Sequence, residues 1–154
     1  MREIQGDLLA LANTGMFDVI AHGCNCFCTM GAGIAKQIAR QYPEALEADR
    51  KTLKGLRDKL GTYTLAHATT PSGYPLTIAN LYTQYNWGGE HPLGYDALSR
   101  AARTLGRLYV GKRVGMPWIG CGLAGGDREK VRDILDRLLD PMVDLTIVEY
   151  APGA

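Results

Sequence analysis

Short β-branched runs alternate with stretches of helical periodicity along most of this chain. Asp18-Val19-Ile20-Ala21-His22 is apolar and ends in glycine and cysteine, as a buried strand does where it delivers its C-terminal end to a loop. Ile34, Ile38, Ala39 and Tyr42 then keep helical spacing until Pro43, beyond which a more polar helical segment runs from Glu44 to about Leu53. Gly61–Ala66 and Leu76–Tyr82 read as strands around the turn-forming Thr70-Pro71-Ser72-Gly73, predicting an antiparallel hairpin. Thr83 to Pro92 is polar, aromatic and glycine-containing, as in a loop over a site. Leu98, Ala102, Leu105 and Leu108 place a helix over Tyr95–Tyr109. Arg113–Pro117 is a further strand, Asp127 opens a helix carrying Val131, Ile134, Leu135 and Leu138, and Leu145–Tyr150 is the last strand. Strands alternating with helices, with one hairpin among them, predict an α/β fold with a mixed central sheet and helices on both faces.

Two glycine loops stand at strand-to-helix transitions, Met30-Gly31-Ala32-Gly33-Ile34 and Gly120-Cys121-Gly122-Leu123-Ala124-Gly125-Gly126. Glycine permits positive φ and close backbone approach, and a helix N-terminus offers unpaired N–H groups at the positive end of its dipole. Either loop alone fits an ordinary turn or helix cap. As a pair they predict a site that grips a diphosphate from two sides, beyond the carboxyl ends of the strands. Neither loop carries the lysine and hydroxyl of a Walker A loop or the full dinucleotide fingerprint, which argues against a kinase or a dehydrogenase.

The chain has 154 residues and a formal net charge of +1, which fits one domain over residues 1–154 and offers no bulk electrostatic attraction for nucleic acid or a membrane surface. A nucleic-acid partner is therefore not expected, and an anion must be recognised locally. No apolar run approaches bilayer length, and the polar segment Met1–Asp7 does not resemble a secretory signal, so a cytoplasmic location is expected. Cys24, Cys26 and Cys28 fall at alternating positions of one pentapeptide. Their spacing does not match the paired Cys-x(2-4)-Cys steps of structural zinc, and a bridge between residues two apart would be strained. Small reduced thiols beside a tight turn, with no metal and no cofactor, are expected.

Four blocks in order, Gly6-Asp7-Leu8-Leu9, His22-Gly23-Cys24-Asn25, Met30-Gly31-Ala32-Gly33-Ile34-Ala35 and Met116-Pro117-Trp118-Ile119-Gly120-Cys121-Gly122-Leu123, resemble the macro domains, whose general role is to bind ADP-ribose. The resemblance spans nearly the whole chain. It is nearest to the branch that holds the terminal ADP-ribose glutamate hydrolases and the yeast-type ADP-ribose 1''-phosphate phosphatases. It implies a three-layer α/β/α fold, with Asp7 accepting from the adenine amino group beside the Leu8 backbone, and Asn25 contacting the distal ribose. Met30, Gly31, Ala32, Gly33 and Ile34 would wrap the diphosphate, opposed by Ile119, Gly120, Cys121, Gly122 and Leu123. From residue type alone, Asp7 also suits a helix N-cap, Asn25 a turn, and Tyr150 either adenine stacking or the core.

The glutamate-hydrolase branch uses a lysine and an aspartate where this chain has Gln84 and Ala124. A glutamine amide is no nucleophile, so lysine-type covalent catalysis is not expected. Asp127, His22, Gln84 and His91 remain as catalytic candidates, with Asp127 or His91 activating water. Asp127 equally suits a helix N-cap, His22 a packed core position and His91 a solvent-facing loop. The expected function is hydrolysis of an ADP-ribose derivative, either the 1''-phosphate or an ester-linked ADP-ribose, with an ADP-ribosylated protein as a potential partner. The alternative is a reader module that binds ADP-ribose without turnover. A free-standing domain favours the enzyme.

Overall fold

The computed structural model describes residues 1–86, 93–122 and 125–151. Along the chain these form β1 (Arg2–Gly6), α1 (Leu8–Asn13), β2 (Val19–Cys24), α2 (Gly33–Gln41), α3 (Pro43–Arg50), a 3-10 turn (Arg57–Lys59), β3 (Tyr63–Thr69), β4 (Pro75–Tyr82), α4 (Tyr95–Leu108), β5 (Arg113–Met116), α5 (Arg128–Leu138) and β6 (Asp144–Tyr150). The strands make one sheet in the order β1-β6-β5-β2-β4-β3. Neighbours are parallel except β3, which runs antiparallel to β4 along the edge. The predicted hairpin is therefore present. Its turn is closed by Thr70, which exchanges backbone bonds with Gly73 and Tyr74 and accepts the Tyr74 N–H on its hydroxyl at 3.0 Å.

Alternation along the central strands sorts the core into two layers. Val19 and Ala21 of β2 and Ala79 and Leu81 of β4 face α4 and α5, packing with Leu98, Leu105, Val131 and Leu135. Ile20 and Ile78 point the other way, against Leu8 and Ala12 of α1, Ile38 of α2 and Ala45 of α3. This is the three-layer α/β/α arrangement. Full burial of each leucine or isoleucine stabilises the fold by about 1.5–3 kcal/mol. Both central strands are largely apolar on both faces because both faces are covered, with His22 and Asn80 the buried polar exceptions.

Local chemistry sets the helix starts. Asp7 caps α1 through Oδ1, which accepts from the Leu9 and Ala10 N–H groups at 3.0 and 3.3 Å. Pro43 sits in the first turn of α3, where its missing N–H costs nothing, so α2 and α3 follow with only Tyr42 between them. Helix α2 differs: Ala32 stands at its N-cap and no side chain caps it. Its first N–H groups are left for something else. β2 and β5 are adjacent and parallel, so the loops that follow them emerge side by side on one rim of the sheet.

Candidate functional site

Those two loops wall a cavity of about 740 Å³. One wall comes from the loop after β2 and the start of α2, residues 29–35. The other comes from Pro117, Trp118, Ile119, Gly120 and Gly122 after β5, and Asn25, Gln84 and Asp49 close one part of it. Among the described residues no lysine or arginine lines the cavity, so an anion there would meet main-chain N–H groups and the uncapped start of α2.

The loop after β2 is held in an uncommon conformation. Cys28 and Met30 have φ of +57° and +40°, left-handed values that non-glycine residues rarely adopt. Asn25 organises this segment: its Oδ1 accepts from the Phe27 N–H at 2.8 Å and its Nδ2 donates to Thr29 Oγ1 at 2.7 Å. The turn role is therefore present, and Asn25 also lines the cavity. Gly33 has φ +57°, and a Cβ there would have no atom within 4 Å. In the opposing loop, Gly126 N donates to Gly120 O at 2.7 Å, and a Cβ on Gly126 would fall 2.6 Å from that oxygen. Only glycine permits this closure.

Met30, Gly31, Ala32, Gly33 and Ile34 come together with Ile119, Gly120 and Gly122 around the cavity. Cys121 turns its thiol back to the Ile119 carbonyl, 3.6 Å away, and burial pushes that thiol up. Leu123, Ala124 and His91 lie outside the described residues. Asp7 lies on a separate depression with Gln37, Arg40 and Gln41 of α2, so α2 connects the two regions. Leu8 is buried beneath it, with 3% exposure. Tyr150 is the register partner of Gly6 and is exposed, so its ring stands outside the core.

The catalytic candidates separate. Gln84 lines the cavity, with Nε2 donating to the Asn86 carbonyl at 2.7 Å. His22 does not: it has no exposed surface, and its Nε2 lies 2.6 Å from Asn80 Oδ1. Burial pushes its pKa down to about 4, so the ring is neutral at ordinary pH. The ring is thus sealed from solvent and packed among its neighbours. Asp127 caps α5 through Oδ1, accepting from Glu129 N at 2.9 Å and Lys130 N at 3.4 Å. It faces a surface depression with Tyr95 and Asp133, apart from the cavity that the two loops line.

One acidic residue of the wall was missed in the sequence. Asp49, 1% exposed, reaches the cavity from α3, and its Oδ1 accepts from the Tyr82 hydroxyl at 2.7 Å. Burial raises its pKa, partly offset by that hydrogen bond and by the charge of Lys59. Lys59 is itself buried, with Nζ donating to Cys26 O at 2.9 Å and standing 4.8 Å from the Tyr82 ring centre. The available signal was a carboxylate on the same helical stripe as the buried Tyr42 and Ala45. Among the described residues, no group of histidine, cysteine and acidic side chains is arranged to hold a metal ion, and all four cysteines are free thiols.

Residues 21–135 match the sequence profile of the family described as Macro domain. A 17.5 kDa protein of the tk-vs intergenic region of Enterobacteria phage T4 is 35% identical over 159 residues, covering 99% of this chain and 97% of that protein. An ADP-ribose 1''-phosphate phosphatase of Lodderomyces elongisporus is 32% identical, covering 90% of this chain and 92% of its own length. A DNA ADP-ribosyl glycohydrolase of Mycobacterium tuberculosis is 31% identical over 96% of this chain, which spans 41% of that longer protein. In structure, the macrodomain of Mycobacterium tuberculosis DarG superposes with a TM-score of 0.72 at 24% identity, covering 99% of this chain and 100% of the other. With a profile match across most of its length, and with the predicted α/β/α layers and paired loops in place, this chain belongs to the macro domain family.

Proposed function

We propose that this protein binds ADP-ribose in the cleft between its two glycine loops and hydrolyses ADP-ribose derivatives, releasing phosphate from ADP-ribose 1''-phosphate or cleaving ester-linked ADP-ribose. The observation that carries this reading is the uncapped N-terminus of α2 opening onto a cavity whose wall, among the described residues, has no basic side chain. A pyrophosphate there would take its hydrogen bonds from main-chain N–H groups, which a near-neutral chain can supply without an arginine cluster. Asp7 and the exposed Tyr150 would receive the adenine, and Asn25 and Gln84 the distal ribose. The phosphatase and glycohydrolase relatives support an enzyme of this substrate class.

Gln84 favours a second reading. An amide occupies the wall position where the resemblance to the glutamate hydrolases would place a nucleophilic lysine, and a non-catalytic reader needs no nucleophile there. Calorimetric titration with ADP-ribose tests the binding. Incubation with ADP-ribose 1''-phosphate, O-acetyl-ADP-ribose, glutamate-ADP-ribosylated protein and an ADP-ribosylated DNA oligonucleotide, read by mass spectrometry, tests the chemistry. Heat without turnover of any of the four would select the reader, and no heat would remove both.

A further inference from the structure

Among the described residues of the cavity wall, Asp49 is the only carboxylate. A buried acid needs compensation, and Asp49 has it on one side: Oδ1 accepts from Tyr82, whose hydroxyl also lies 3.0 Å from Thr64 Oγ1, and the Lys59 ammonium supplies positive charge nearby. The other oxygen, Oδ2, accepts no hydrogen bond from the described residues, although the side chain is almost fully buried and belongs to the wall. A carboxylate oxygen left without a partner on a residue that lines a cleft is placed to receive a proton. Of the other candidates for that task, His22 and Asp127 do not line the cavity, and His91 lies outside the described residues.

We propose that Asp49 is the catalytic base of this site, taking a proton from the attacking water through Oδ2 and returning it to the leaving oxygen. The assignment rests on the hydrolase reading above. In the step, the water oxygen forms a bond to the phosphorus or acyl carbon of the substrate, and the bond from that atom to the 1''-oxygen of ADP-ribose breaks. The proton lost by water passes to Asp49 and then to the departing oxygen, so each turnover leaves the protein as it began. Tyr82 is a positioning residue: its hydroxyl fixes the carboxyl plane and holds down the pKa that burial raises. The groups that act on Asp49 are Tyr82 of β4, Lys59 of the 3-10 turn and Arg50 of α3, with the Cys24 thiol of β2 and the Cys26 thiol beyond it.

The test uses the whole chain and ADP-ribose 1''-phosphate, with phosphate release measured against pH and ADP-ribose affinity measured by calorimetry. Asp49→Asn should lower kcat by about 100-fold or more while ADP-ribose affinity is retained. Tyr82→Phe removes the hydrogen bond that favours the ionised carboxyl, so the acid limb of kcat/KM should move to higher pH, a shift that a purely structural tyrosine would not produce. Undiminished turnover in Asp49→Asn, or an unmoved acid limb in Tyr82→Phe, would overturn the role of Asp49 and leave the hydrolase reading standing. Wild-type protein that binds ADP-ribose and turns over none of the substrates would remove the hydrolase reading and this role together. Should Asp49→Asn fail to fold, the Tyr82→Phe profile decides alone.

Discussion

His22 and Asn80 are register partners on β2 and β4, and the imidazole donates its Nε2 hydrogen to Asn80 Oδ1 across 2.6 Å. The direction follows from Asn80 itself, whose Nδ2 donates to Ala45 O and Thr64 Oγ1, each at 3.0 Å, leaving Oδ1 as the acceptor. Burial, opposed only in part by the hydrogen bond to Asn80, keeps the folded ring neutral with a pKa of about 4, against an ordinary value of 6.5. Above pH 6.5 both folded and unfolded chains hold the ring neutral, and its contribution is complete. As pH falls from 6.5 towards 4 the unfolded chain takes up a proton that the folded chain refuses, so stability is lost, by about 3 kcal/mol over the window. Urea unfolding at pH 7 and pH 5 should show the loss in wild type, and His22→Gln should flatten it.

Gly122 lines the cavity without a positive φ, and a Cβ there would meet no atom within 4 Å. Gly122→Val should therefore fold with nearly wild-type stability while filling space needed by the pyrophosphate. We expect a loss of ADP-ribose affinity of at least about tenfold, equivalent to about 1.4 kcal/mol, in a calorimetric titration. Wild-type affinity would exclude this loop from the ligand.

Asp127 should behave as a cap. Asp127→Ala removes the acceptor for the Glu129 and Lys130 N–H groups and should cost about 1 kcal/mol in thermal or urea unfolding. Under conditions where the variant is folded, turnover should stay near wild type. A fall comparable with that expected of Asp49→Asn would return Asp127 to the reaction.

Asp18 and Arg113 join the starts of β2 and β5, with guanidinium contacts of 2.9 and 3.2 Å to the two carboxylate oxygens. The Arg113 hydrogen bonds hold the Asp18 carboxyl below its ordinary range. A lowered folded pKa contributes stability above the unfolded value, and that contribution disappears as pH falls through the folded one. Both side chains are largely exposed, so solvent screening limits the effect, and Arg113→Ala should cost no more than about 1 kcal/mol at pH 7. The difference between variant and wild type should shrink below pH 3.8, as acid unfolding curves would reveal.

The layered architecture was readable because its signals are local and periodic. Ile34, Ile38 and Tyr42 mark α2, Thr70–Gly73 mark the hairpin turn, and the doubly apolar Val19–Ala21 run marks a strand covered on both faces. The glycine loops were readable for the same reason, since positive φ and close approach leave few choices of residue. Residue type alone could not separate Asp127 from Asp49. Both are acids on or beside a helix, and which one meets the cavity depends on where α3 and α5 dock. Tyr150 ends the last strand, where residue type left the core and adenine stacking both open, and β6 carries that residue to an exposed position. Lys59 was passed over because buried lysines are rare, and its pocket is assembled from Cys26, Cys28 and Tyr82, distant in the chain.

β2 and β5 are hydrogen-bonded neighbours through Val19 and Ile20, so the strands that lead into the two cavity-lining loops are set a single sheet interval of about 4.8 Å apart where they pair. That interval is a property of backbone pairing and does not change with side chains. Lengthening or recolouring either loop can deepen the cleft or alter its rim, but the spacing of the paired strands beneath it stays constant. The sheet thus fixes the footing from which the cavity walls rise, and diversification is left to the residues further out.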